Sequence, residues 1–546
     1  MRAKIEDGVV YSPFPAVDIP CCSLYIAAKK ALLEEPEKLA LADGSVSVTR
    51  REFFVLMQRY AVGFQKHGVK PGDRVCVHIN SSVHNVAAMW GCVFAGASIV
   101  PAKTSLTECE LRYQLSDSDS THILTDVAFA EKARKATSSL EIKGLFATAP
   151  TDGFESTACF VNMDEALFRE VLVEDPKDCV LGICYTSGTT GLAKGVVVTH
   201  YGFVANMATA GPCFSWDASD VVLIAAPITH ASGIVCITFG VLLGTPFVIV
   251  TPGASLQCIS ELVETYKVTS LSLPPTHLRA IVAEMQSTGN RLKGIRRIGT
   301  GGLVFSEPLL REIQEAFVDF ECLVNGYAMT ESMGILCSPS IHATKGVDVG
   351  FVAPSSEIKI VDLSTQKKLG PNQTGEVRFR IPSMTKGYYR RPKETAELFD
   401  EDGWCRSGDA GYYDNDGRVY IVQRLKEMIK CLDNQVVPAE IEELVLQEHR
   451  RDISEVVVVG LTHDEYGEAP AAFVVLRERS SLQYEEELAE KIKTTVSDHL
   501  AVHKHLHGGV FFMESLPRTE TGKVSRKALV EVGARIDFLC GTTHCV

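Results

Sequence analysis

The 546-residue sequence has no Cys-x-x-Cys pair, no internal repeat, no low-complexity tract and no surplus of positive charge. Its seventeen cysteines are odd in number. The adjacent Cys21 and Cys22, and two pairs with four residues between them, fit neither a common zinc framework nor a disulfide framework, so they read as reduced and mostly buried thiols. A formal net charge of −14 removes long-range attraction for nucleic acid or an anionic bilayer, and any grip on a phosphorylated ligand must be local. The first thirty residues carry Lys4, Glu6 and Asp7 and lack an apolar stretch before a small-residue cleavage site. The ending His544-Cys545-Val546 is not the Ser-Lys-Leu peroxisomal signal. Residues 225–260 contain no Asp, Glu, Lys or Arg, but Pro227, Gly240, Gly244, Pro246, Pro252 and Gly253 break them into pieces too short to span a bilayer. They read as a buried helix between two buried strands. The expectation is a cytoplasmic protein, monomer or homodimer, with small-molecule partners, no nucleic acid and no stable membrane span.

What is present is 46% apolar and 22% charged, ordinary for a folding chain that is too long for one compact core. Short apolar runs at 221–226, 246–250 and 271–273 alternate with longer mixed segments, the pattern of strands and crossover helices in a layered α/β protein. Near Asp402 the texture turns to Asp-Gly and Gly-Asp punctuation ahead of a strand at 418–422. Beyond it, 438–447 reads as a helix, 455–460 and 471–476 as strands, and Leu488, Ile492, Val496 and Leu500 as one stripe of a further helix. The expected fold class is α/β: a large layered N-terminal domain with βαβ-type sheets, residues 1–423, and a small α+β C-terminal domain, residues 424–546.

The most informative segment runs from Tyr185 through Thr186, Ser187, Gly188, Thr189, Thr190 and Gly191 to Lys194, directly after a strand-like run at 179–184. Glycines let backbone N–H groups approach an anion closely, and the hydroxyls and lysine add donors and charge, so this is a phosphate-binding loop. It is not the P-loop of NTPases. That loop needs Gly-Lys followed by Ser or Thr at a helix start, whereas Lys194 precedes Gly195 and another β-rich run.

This loop resembles the signature of the adenylate-forming superfamily of acyl-CoA synthetases, peptide-synthetase adenylation domains and beetle luciferases. Further motifs follow in that family's order: Pro227 to His230, Thr300-Gly-Gly302, Asn325 to Glu331, Thr374-Gly-Glu376, Trp404 to Asp409, Arg424 to Lys430, Gly467 to Pro470 and Pro517 to Lys523. The likeness covers essentially the whole chain and is strongest to the 4-coumarate–CoA ligase and luciferase branch. It implies an ATP-dependent acyl-CoA synthetase that forms an acyl-AMP, releases pyrophosphate and passes the acyl group to coenzyme A, with Mg²⁺ as metal.

Site residues follow from the resemblance position by position. Tyr327 would stack on adenine beside Gly302, Asn325 and Gly326, Thr330 would hold a phosphate, and Glu331 would anchor Mg²⁺. Asp409 would accept the ribose hydroxyls, with Arg424 assisting. Lys523 would bridge carboxylate and phosphate, where two anions must meet. His230 would sit beside the carboxylate. The small domain would swing about a hinge near Lys426 and bring Lys430 to the thiol path. The acyl pocket would be lined by Thr229, His230, Ala231, Ser232, the turn from Ser272 to Thr276, the run from Gly299 through Gly301 to Leu303, Gly326, Met329 and Gly334, with no Lys or Arg, which favours an apolar or aromatic acid.

Two departures from the family pattern stand out: Gln423 where Asp or Gly is usual, and Asp433 where glycine is usual, the second bearing on the thiol step. His503, His505 and His507 would share one strand face, a spacing that invites a metal, although the family places a structural connector there. A medium-chain fatty acid and a cinnamate-like acid both stay open as substrate. So do a luciferase-like oxygenase acting through a luciferyl-adenylate and transfer to another thiol, since these would use the same residues.

Overall fold

The computed structural model describes residues 1–186, 192–213, 216, 219–301, 307–339, 348–432, 434–463, 465–478, 480–519 and 523–539. Among them the strands form four sheets. One runs, in spatial order, Lys194–Thr199, Val180–Thr186, Ser98–Pro101, Arg74–His78, His122–Thr125, Gly144–Ala147 and Glu155–Ser156. It is parallel except where Val180–Thr186 meets Lys194–Thr199, the strands on either side of the expected phosphate loop, which pair Thr186 with Lys194. A second sheet has Leu39–Ala42, Phe247–Ile249, Val222–Ile224, Ser270–Ser272, Arg297–Gly301 and Cys322–Met329 as a parallel centre.

Helices lie between these two sheets, and one apolar core runs through all three layers. It takes Val75 and Val77 from the first sheet, Val222, Ile224, Phe247 and Ile249 from the second, and Met57, Trp90, Phe203 and Phe239 from the helices. The helix Arg50–Lys66 starts on a capping box, with the Thr49 hydroxyl taking the Glu52 N–H and the Glu52 carboxylate taking the Thr49 N–H, which satisfies two orphan donors at once. The charge-free stretch is a buried helix, Ala231–Leu242, between the strands Val222–Ile224 and Phe247–Ile249, as its sequence suggests. Among the described residues no helix is long and apolar enough to cross a membrane.

A third sheet carries Glu357–Val361, Gly375–Arg380, Cys405–Tyr413 and Val419–Arg424, extended by the N-terminal strands Ile5–Glu6 and Val9–Tyr11. The fourth uses only residues from Ile429 onward, with the long hairpin Ile453–His463 and Gly467–Leu476 packed on Pro438–Glu448 and Leu482–His499. The α/β fold class holds, and each strand and helix cited above from the periodicity is found within a few residues of its expected ends. One local reading is corrected. His503 lies in a 3-10 turn, Val502–Lys504, and not on a strand face. His505 and His507 instead direct Nε2 to the carbonyls of Leu500 and Val502 at 3.0 and 2.7 Å. No cluster of metal-ligating side chains occurs among the described residues.

Of the buried histidines, His200 and His78 are the two pushed down furthest. His200 opens the helix His200–Ala210, and its Nδ1 accepts the Leu24 N–H at 3.2 Å; His78 lies at the end of Arg74–His78. Burial pushes both imidazoles down to about 4. Below the ordinary histidine value near 6.5 the unfolded chain therefore takes up protons that the native chain refuses. Stability is complete above that pH and falls between 6.5 and 4 by about 1.4 kcal/mol per pH unit for each group. Denaturant titrations across this window should show the decline, and His200→Gln should make it shallower. An identical slope in wild type and variant would show that His200 is protonated alike in both states.

Candidate active site

The strand Cys322–Met329 delivers several expected residues in one run. It lies parallel to Arg297–Gly301, with Thr300 opposite Asn325 and Gly301 opposite Gly326. Thr300 Oγ1 and Asn325 Oδ1 are buried without a partner among the described residues. Buried polar atoms are nearly always satisfied, so this pair fits the polar edge of a ligand. A Cβ on Gly301 would lie 2.8 Å from the Gly326 carbonyl oxygen, so the missing side chain keeps the floor flat.

Further along, the Tyr327 hydroxyl donates to Asp409 Oδ2 at 2.6 Å, and Arg424 Nε stands 3.2 Å from Asp409 Oδ1. Sheet register sets this up, because Asp409 and Arg424 are direct partners across Cys405–Tyr413 and Val419–Arg424. Burial pushes the Asp409 carboxyl up, while Arg424, the Tyr327 hydroxyl and Lys523 pull it back. The cluster lowers Lys523 in turn, by burial first and then by Arg424 and Lys103, against Asp409 and Glu427. Lys523 keeps accessible surface, yet its charge is felt by Asp409 and also by His230.

His230 caps the helix Ala231–Leu242: its Nδ1 accepts the Ser232 N–H at 3.2 Å and lies 2.7 Å from Ser232 Oγ. An accepting Nδ1 assigns the proton to Nε2. Burial, then Lys103 and Lys523, push the imidazole down to about 4, so it is neutral at physiological pH. Ser81 ties this corner together, donating to the Ala226 carbonyl and accepting the Ile228 N–H at 3.2 and 3.0 Å.

Glu331 is buried in the turn Thr330–Ser332, directly after Met329, and its Oε1 accepts the Tyr388 hydroxyl at 2.9 Å. Its second oxygen has no partner among the described residues. One such carboxylate oxygen suits Mg²⁺, which commonly takes one or two carboxylates and completes its shell with water and substrate phosphates. Lys194 Nζ lies over the Tyr388 ring, 5.2 Å from its centroid. Gly334 is buried against Asn206, where a Cβ would come within 1.9 Å of Oδ1, while Ser232 is exposed.

Not every expected residue joins this cluster. Lys430 is exposed on Ile429–Cys431, its N–H bound to Glu468 Oε2 at 2.7 Å. Gln423 is buried, and its Nε2 donates to the Glu427 carbonyl at 3.0 Å across the turn Leu425–Glu427 that contains Lys426. Ser187, Gly188, Thr189, Thr190, Gly191, Gly302, Leu303 and Asp433 lie outside the described residues.

Three features escaped the sequence reading. Lys103 follows Ser98–Pro101, and its charge is felt by His230 and Lys523, without local signal beyond that charge. The legs of the expected phosphate loop are pinned from outside: Tyr185 donates to Asp117 Oδ2 at 2.7 Å, Arg391 binds Asp117 Oδ1, and Tyr113 donates to the Ala193 carbonyl at 2.8 Å. Asp117 and Arg391 are 274 positions apart, so only the fold joins them. The third feature is the segment carrying Tyr388.

A family model described as AMP-binding enzyme matches residues 28–389, and one described as AMP-binding enzyme C-terminal domain matches residues 440–523. The chain is 31% identical to 4-coumarate–CoA ligase 5 of Oryza sativa subsp. japonica over 549 residues, 97% of this chain and 98% of the relative. Among solved structures it resembles the ATP-bound RpMatB-BxBclM chimera B1, with TM-score 0.83 and 26% identity over 94% of this chain and 99% of that one. It also resembles o-succinylbenzoate CoA synthetase of Bacillus subtilis in complex with its acyl-adenylate intermediate, with TM-score 0.77 and 26% identity over 92% and 97% of the two chains.

If the outer clamp sets the loop, Asp117→Ala should loosen its legs. Amide exchange at Thr186 and Lys194 is expected to rise about tenfold, a local loss of ~1.4 kcal/mol. Unchanged protection in hydrogen-exchange mass spectrometry would assign the legs' order to their own pairing.

Proposed function

The chain belongs to the AMP-binding enzyme family, as an AMP-forming acid–thiol ligase, and we propose that it activates an apolar or aromatic carboxylic acid with ATP and transfers the acyl group to coenzyme A. The observation that carries this reading is the buried Asp409 held by Tyr327 and Arg424 at 2.6 and 3.2 Å, with the Lys523 charge felt there and at His230.

In the first half-reaction a carboxylate oxygen attacks the α-phosphorus of ATP and pyrophosphate leaves. Both reactants are anions, so a cation fixed at their meeting point lowers the barrier without reorganisation during the step. Lys523 fills that role, and Lys103, whose charge also reaches His230, adds a second positive charge for the acid's carboxylate. Asp409, held by Tyr327 and Arg424, receives the ribose hydroxyls; Thr300 and Asn325 offer their orphaned oxygens to the base. The phosphates lie along the loop from Thr186 to Lys194 and against Thr330. Glu331 would hold Mg²⁺, which neutralises phosphate charge when bound.

In the second half-reaction the CoA sulfur attacks the acyl carbonyl carbon, AMP departs, and the thiol proton is released to solvent. His230, neutral and locked as its Nε2–H form, is a donor beside the carbonyl and is not the base. Residues 424–546 act as a mobile lid hinged near Lys426. A rotation there would withdraw Lys523 and bring Lys430, now exposed, toward the thiol path.

Pyrophosphate release measured over a panel of fatty and aromatic acids, with and without CoA, tests the reading and identifies the acid. Release without thioester formation for every acid would count against CoA as acceptor. Lys523→Ala should cut acid-dependent ATP–pyrophosphate exchange by at least about a hundredfold, roughly 3 kcal/mol of transition-state stabilisation, with far less change in ATP affinity. Near-normal exchange in that variant would remove the lysine from the chemistry.

A further inference from the structure

Residues 383–389 form a strap zipped to both halves of the proposed phosphate site. On one side it runs along the strand Lys194–Thr199: the Val197 N–H donates to the Gly387 carbonyl at 3.0 Å, the Tyr389 N–H to the Gly195 carbonyl at 2.7 Å, and the Thr385 hydroxyl to the Val197 carbonyl at 2.7 Å. On the other side it grips the turn Thr330–Ser332. The Thr385 N–H donates to the Glu331 carbonyl at 2.9 Å and the Ser383 hydroxyl to the Ser332 carbonyl at 2.7 Å. The strap is itself locked to the helix Pro392–Leu398. Tyr388 N–H donates to Thr395 Oγ1 at 2.9 Å, and Gly387, at φ +134°, leaves no room for a Cβ beside Thr395.

Tyr388 stands at the centre, with its ring under the Lys194 ammonium and its hydroxyl on Glu331 Oε1. A carboxylate oxygen can only accept here, so the hydroxyl is the donor of this bond. A donor on Oε1 fixes the carboxylate plane and leaves the other oxygen for a ligand. A ring face under an ammonium restrains a lysine without neutralising it.

We infer that Tyr388 is a positioning residue that sets Glu331 for a divalent cation and Lys194 for the nucleotide phosphates through two separable contacts. The inference rests on the proposed role of Glu331. Tyr388→Phe removes the hydroxyl and keeps the ring; Tyr388→Leu removes both.

Mn²⁺ replaces Mg²⁺ as the probe, titrated into the full-length protein with ATP and read by electron paramagnetic resonance, while metal-free ATP affinity is read by calorimetry. Glu331→Gln serves as the reference. Tyr388→Phe is expected to weaken Mn²⁺ about tenfold and to leave metal-free ATP affinity within twofold of wild type. Tyr388→Leu is expected to weaken both. If Glu331→Gln weakens Mn²⁺ and Tyr388→Phe does not, the inference falls and the role of Glu331 stands. If Glu331→Gln leaves Mn²⁺ binding unchanged, the proposed metal role falls and the inference with it. Equal losses of both affinities in Tyr388→Phe would mark a general collapse of the strap and would also overturn the separation of the two contacts.

Discussion

A carboxylate taken out of water must be answered by donors or cations, and the site is organised around how Asp409 is answered. Tyr327 and Arg424 reach it from neighbouring strands at 2.6 and 3.2 Å, and Lys523 adds charge from residues beyond the fourth sheet. Arg424 lies two positions before Lys426 and Lys523 lies in the C-terminal segment, so the buried charge is where the two parts of the chain become electrostatically dependent on each other. Removing one partner of such a group leaves an uncompensated charge, which is more damaging than never having built the cluster.

The parallel sheets supply rigidity at the right places. Thr300 and Asn325 stand opposite each other where adjacent parallel strands end, the usual location of ligands in open α/β sheets. His230 begins a helix after another strand of the same sheet, and the proposed phosphate loop follows Val180–Thr186 in the other. The layers between them are filled with Phe, Val, Ile and Trp to near-complete burial. Strand ends are thus held in fixed relation while the turns between them are free to carry polar chemistry.

What could be read from sequence divides by distance along the chain. The loop of Gly, Ser, Thr and Lys, the run from Asn325 to Glu331 and the pair of Gly408 and Asp409 are local patterns, and each carries its chemistry in neighbouring residues. The charge-free run at 225–260 could be assigned to a buried helix from its Pro and Gly punctuation alone. The parts that stayed hidden are those joined only by folding. Asp117 and Arg391 have no shared pattern, yet they pair, and Asp117 also takes the Tyr185 hydroxyl. Tyr388 belongs to no local pattern, and only the strap lays it between Lys194 and Glu331. Lys103 reads as one charge among many until the ends of two sheets converge. The histidines at 503, 505 and 507 show the opposite failure, an alternation that suggests a strand where the backbone instead turns and uses the rings against its own carbonyls.

The central claim is that Lys523 and Asp409 act as one cluster when the acid is activated. A double-mutant cycle with Lys523→Ala and Asp409→Asn, read by acid-dependent ATP–pyrophosphate exchange, tests it most directly. Residues that share a charge network couple by about 0.5–3 kcal/mol, whereas independent sites add. The double variant is predicted to lose at least ~1 kcal/mol less than the sum of the single losses. Strict additivity would contradict the shared site.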